Sequence, residues 1–136
     1  MRLWSKHLIE CLPDKQLLSQ WREIIAIIGN IKKKGFPNHI LVNKIMDYPI
    51  NHFSSYAEVV ISEMYKRNFK LNKTKIDYVY EFCGKPEIIF GDIYLNWHNE
   101  NYTKICIYNL YEKYLCGGIT EKEWNILISK FGYLIN

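Results

Sequence analysis

The chain has 136 residues, with 18 Lys plus Arg against 14 Asp plus Glu and a formal net charge of +4. Its length suits one domain, 1–136, and its 49% hydrophobic and 24% charged residues exclude a disordered or fibrous chain. No apolar run approaches the roughly 18–20 residues of a membrane helix and the N-terminus lacks a signal-peptide core, so a cytoplasmic protein without a membrane partner is expected. The charge permits a nucleic-acid partner without requiring one. Its make-up is more informative: 15 of the cations are Lys, and only Arg2, Arg22 and Arg67 are Arg. In so Lys-rich a chain, a retained Arg points to a need for its planar, two-pronged donor fork. The four Cys form no C-x-x-C pair and the four His are dispersed, so neither a metal site nor a disulfide framework is expected.

Periodicity predicts helices in chain order. Pro13 and Asp14 stand at a helix start, and Leu17, Trp21, Ile24 and Ile28 recur at helical spacing, flanked by Leu18 and Ile25. Gly29 and Asn30 read as the C-cap, which leaves Lys32, Lys33, Lys34, Gly35 and Pro37 as a basic loop. A short helix over 38–46 ends before Pro49. Ser55-x-x-Glu58 reads as a capping box that opens a helix through Val59, Ile61 and Met64 to near Asn68. A further short helix is expected over 75–82, while 87–97 suits either a buried extended loop or a short strand. Spacing is helical again from Tyr102 to Leu115, where Gly117 and Gly118 stop it. Thr120-x-x-Glu123 is a second capping box, opening a last helix to about Lys130. The expected fold is mainly α, a single compact helical domain.

Arg22 and Glu23 stand out in the first long helix. With Ser19 and Ala26 they form a strip beside the apolar stripe. That strip is either a solvated face or a guanidinium and a carboxylate turned toward a cleft. Leu12, Asp14, Leu17, Trp21, Arg22 and Glu23 together resemble the first-helix pattern of the pyrimidine-dimer DNA glycosylases of the phage endonuclease V type. The opening Met-Arg-Leu-Trp, the run from Glu63 to Phe69 and the run from Tyr108 to Thr120 are similar to a bacterial branch of that group. The fold expected from the resemblance is the compact helical domain of those glycosylases.

The resemblance implies a DNA N-glycosylase and abasic-site lyase whose nucleophile is the N-terminal α-amine. The reference pKa of an α-amine, about 8 against about 10.4 for Lys, leaves part of it neutral at physiological pH and able to attack C1′ of a damaged nucleotide. The resulting Schiff base is an electron sink for β-elimination. Glu23 matches the family's catalytic carboxylate, and Arg22 would grip a phosphate or base edge. In the phage type, loss of Met exposes a Thr nucleophile; here the second residue is Arg2, after which Met is normally retained. Shifting the comparison by one residue puts Met1 in the nucleophile's place and Arg2 on a functional Arg of the family. Met1 and Glu23 are therefore the expected catalytic pair.

Arg2, Arg22, Lys32, Lys33 and Lys34 are the expected DNA-binding residues, with Trp4, His7 and Trp21 as candidate site lining. Lys66, Arg67 and Lys70 suit a helix C-terminus whatever the function. Trp97 to Asn101 is a polar, aromatic stretch without an assigned role, and Lys130 to Tyr133 is faintly similar to a DNA-touching tail of the phage type. The implied partner is damaged double-stranded DNA, bacterial or viral, approached by a monomer without metal or organic cofactor. The alternatives are a non-catalytic binding module for distorted DNA or RNA, and a related lyase for other base damage.

Overall fold

A computed structural model describes residues 1–135. Among them stand five α-helices and no strand: α1 (Asp14–Lys34), α2 (Asn51–Lys66), α3 (Lys73–Cys83), α4 (Glu100–Leu115) and α5 (Glu121–Phe131). Short 3-10 helices over Lys6–Cys11, Asn43–Asp47, Phe90–Asp92 and Gly132–Leu134 fill the connections. The expected mainly α class is what the chain adopts. One continuous core draws on every α-helix, from Leu17 and Ile24 of α1 to Trp124 and Leu127 of α5.

Three expectations are corrected. α1 does not stop at Gly29: it runs on to Lys34, because Ile31 extends the buried stripe of Ile24, Ile27 and Ile28 by another turn. Core packing outweighs the roughly 1 kcal/mol that a mid-helix Gly costs. The cap is Gly35, whose φ of 85° only Gly adopts readily and whose N–H meets Ile31 O at 2.8 Å. Lys32–Lys34 are thus the last helical turn, where cations complement the helix dipole. In α2 the Ser55 box does not form. The helix begins at Asn51 because Phe53 and Tyr56 already belong to its buried face, and Ser55 is an interior residue bonding Asn51 O and the Ile88 N–H. Residues 87–97 form no strand but a chain of tight turns around the 3-10 helix, in which Tyr94 is buried at a φ of 49°. The Thr120 capping box is present in full.

α1 packs against α2 and α3, and α4 pairs with α5. Between these groups runs the N-terminal segment, bonded on one side to α1 and α2 and on the other to α4. Its Leu3, Trp4 and Ser5 are buried, and its backbone polar groups find partners in distant helices, as buried peptide groups must. Tyr102 of α4 donates its hydroxyl to Leu3 O, Ser5 Oγ and Thr103 Oγ1 lie 2.7 Å apart, and Lys6 N–H meets His98 Nδ1 at 3.0 Å. The stretch from Trp97 to His98, unassigned from the sequence, is core: both side chains are buried and His98 stacks on Tyr102.

Candidate active site

Gln20 organises the site. It lies on the inner face of α1, wholly buried, and each end of its carboxamide is bonded. Oε1 accepts the Trp4 N–H at 2.7 Å and faces the Tyr56 hydroxyl at 2.9 Å; that hydroxyl also reaches Trp4 O at 2.6 Å. Nε2 donates to Arg2 O at 3.1 Å and to Glu23 Oε2 at 3.3 Å. One side chain therefore ties the backbone next to Met1 to the carboxylate one helical turn further along α1.

Glu23 is half-buried, and burial, which disfavours its charged form, raises its carboxyl above the ordinary range. Four groups oppose that rise: first the N-terminal ammonium, then the Arg2 backbone N–H, His39 and Lys113. The Met1 terminus, the loop after α1 and the far end of α4 thus all act on one carboxyl. Among the described residues Met1 and Glu23 do not close to an ion pair within 4.0 Å, so the amine is not locked onto the carboxyl. Met1 itself is 39% exposed, open to a macromolecular substrate.

The other expected residues divide. Arg22 is exposed beside Glu23, and no ion pair among the described residues holds it. Arg2 is half-buried, with its guanidinium 5.6 Å from the centre of the Trp4 ring and Nη1 3.9 Å from Cys106 Sγ. Trp4 and Trp21 are core residues. Lys32, Lys33 and Lys34 are all exposed, and Lys32 Nζ also sits 4.2 Å from the centre of the Tyr78 ring of α3, a cation–π contact between helices. His7 meets the Phe90 ring edge-to-face with centroids 5.6 Å apart, and it lines a cleft of about 810 Å³ with Phe131 and Tyr133. That cleft includes neither Met1 nor Glu23. Arg67, the third scarce guanidinium, is structural. It donates to the carbonyls of Ile9, Glu10 and Leu12 and pairs with Asp14 and Glu63.

Sequence reasoning missed Gln20, His39 and Lys113. Gln20 left a signal, a polar residue inside the stripe of Leu17, Trp21 and Ile24 and three places before Glu23. His39 and Lys113 left none, since tertiary packing alone brings them near.

The class of molecule these features define is a helical protein that clamps its own N-terminus beside a shielded carboxyl, with an exposed guanidinium alongside. The family model for pyrimidine dimer DNA glycosylases matches residues 1–77, and the chain belongs to that family. The matched stretch holds every residue of the site except Lys113. No curated protein and no solved structure matches the chain.

Proposed function

We propose that this chain is a DNA glycosylase and abasic-site lyase for pyrimidine dimers or related base damage, with the Met1 α-amine as nucleophile. The neutral amine attacks C1′ of the damaged nucleotide; the N-glycosidic bond breaks and the base departs with the bonding electrons. The amine gives up one of its two protons and the C1′–O4′ bond opens, O4′ leaving with the bonding electrons and taking up a proton, as the C1′–N iminium forms. Glu23, ionised, stabilises the developing positive charge on the sugar and then takes a proton from C2′. The released electron pair flows toward the iminium and the C3′–O bond breaks, with the 3′ phosphate as leaving group. Hydrolysis of the imine frees the enzyme. Arg22 and the exposed Lys33 and Lys34 hold phosphates, and Arg2 supports the terminus from within.

The observation that carries this reading is the carboxamide of Gln20 bonded at once to Arg2 O and Glu23 Oε2, which keeps terminus and carboxyl together. Family membership supports it. The test is borohydride trapping of untagged protein on duplexes that contain either a pyrimidine dimer or an abasic site. A covalent adduct that maps to Met1 is expected, and its absence on both substrates overturns the mechanism. Glu23→Gln should slow strand cleavage by about 10² or more, the usual scale for losing a general base. It should also abolish an acid limb which, in the native protein, lies above the ordinary carboxylate range because burial raises Glu23.

A further inference from the structure

The loop that follows α1 carries side chains the mechanism above does not use. Ile40 is 86% exposed, and Leu41, Phe36 and Met46 beside it in sequence are each more than 40% exposed. Their exposure is built in. Pro37 is buried, and its carbonyl accepts Asn30 Nδ2 at 3.1 Å; Val42 and Ile45 are buried in the core. A tight turn joins these anchors: the Val42 and Asn43 N–H groups both meet His39 O, and the His39 N–H meets Asn43 Oδ1. With 37, 42 and 45 committed inward, residues 40 and 41 project from the tip.

The place of this tip is equally specific. Asn30 lies two helical turns past Glu23 on the same face of α1, so its bond to Pro37 lays the loop back over that face. His39, one residue before Ile40, lies near enough to the Glu23 carboxyl to act on it. Exposed Lys33 and Lys34 precede the tip and exposed Lys44 follows it. An apolar point between cations, at the edge of the site, suits a duplex: cations hold phosphates while an aliphatic wedge enters the stack and props an extruded nucleotide open.

We propose that Ile40, supported by Leu41, is the wedge that inserts into damaged duplex DNA at the lesion. This inference rests on the DNA reading above and assigns a separate step, opening the stack rather than the chemistry at C1′. The test uses an Ile40→Ala, Leu41→Ala double variant of the full, untagged chain, with its thermal midpoint checked against the native protein. Substrates are an abasic site in a duplex with 2-aminopurine opposite, and the same site in a single strand.

Adduct formation on the single strand should be unchanged, while the duplex reaction slows about tenfold or more and the 2-aminopurine fluorescence rise is lost. Ile40→Met, which keeps an apolar wedge, should restore most of both. Equal duplex rates and equal fluorescence in variant and native protein overturn the wedge. If native protein forms no adduct on either substrate, the lyase mechanism fails, but a fluorescence rise confined to native protein still supports insertion. A native dimer that the double variant disperses in sedimentation assigns the tip to a second copy and overturns the proposal.

Discussion

Two polar residues three places apart on α1 divide the work of the candidate site. In the proposed mechanism Glu23 carries the chemistry, and Gln20, bonded to it and to Arg2 O, holds it in register with the terminus. Replacing Gln20 by Leu keeps much of its bulk but strands the Trp4 N–H in the core, and an orphaned buried donor costs about 1–3 kcal/mol. A merely structural role predicts that loss alone. A positioning role predicts more: without the Nε2 donor, the charged carboxylate loses a stabilising bond and the Glu23 acid limb moves further upward. A pH–rate profile of Gln20→Leu, taken where it remains folded, separates the two.

At this scale the sequence was partly legible. Arg22 and Glu23 are neighbours on α1 that helical geometry sets beside the apolar stripe, and in the fold Arg22 is exposed and Glu23 half-buried. Scarcity of Arg pointed to a fork in use, and Arg67, placed by the sequence at a helix end rather than in the site, spends its fork on the carbonyls at the end of a 3-10 helix.

Among the elements, the N-terminal 3-10 helix depends on α2 through that Arg67. Three backbone carbonyls and two carboxylates converge on one planar fork, which the single ammonium of Lys cannot reproduce. Arg67→Lys should therefore destabilise the fold by about 2 kcal/mol, read as a lower urea midpoint, since charge-assisted bonds contribute about 1.5–3 kcal/mol each when partly buried. The end of α1 shows why element boundaries escaped the sequence. Gly29 and Asn30 have the residue types of a cap, but Ile31 has a place in the core, and burying it favours one more turn. Ser55 failed as a cap for the same reason. Phe53 and Tyr56 fill the core from upstream, so the helix starts before it. Thr120 succeeded because no buried residue competes within the preceding turn except Ile119, which lies outside the helix.

Over the whole molecule, the N-terminal segment is a shared strut between the α1–α2 side and α4, and His98 is its most pH-sensitive joint. Burial, then the charges of Lys6 and His7, lowers the His98 pKa to about 3, so the ring is neutral in the fold. In the unfolded chain it binds a proton below about pH 6.5. The unfolded state therefore holds more protons as pH falls, and stability declines from about pH 6.5 toward about 3, by at most about 1.4 kcal/mol per pH unit. Glu23 works in the opposite sense, because a raised carboxyl pKa disfavours the fold only while the group is ionised. Urea midpoints measured between pH 7 and pH 4 should fall in the native protein. His98→Asn, whose Oδ1 can replace Nδ1 as acceptor for the Lys6 N–H, should flatten that slope.

The sequence by itself determined the helical class, the five α-helical segments in outline, the place of Arg22 and Glu23 beside the apolar stripe of α1, and the family. The helical readings rest on periodicity and capping, interactions that close within about four residues, and the family on the resemblance carried by Leu12, Asp14, Leu17, Trp21, Arg22 and Glu23. Only the tertiary structure decided where the helices begin and end, that Gln20 clamps the terminus, that His39 and Lys113 come near enough to act on Glu23, that His7 lines a separate cleft, and that an apolar tip stands after α1. Those facts depend on contacts between residues as far apart as Arg2 and Cys106, and packing alone selects which of them form.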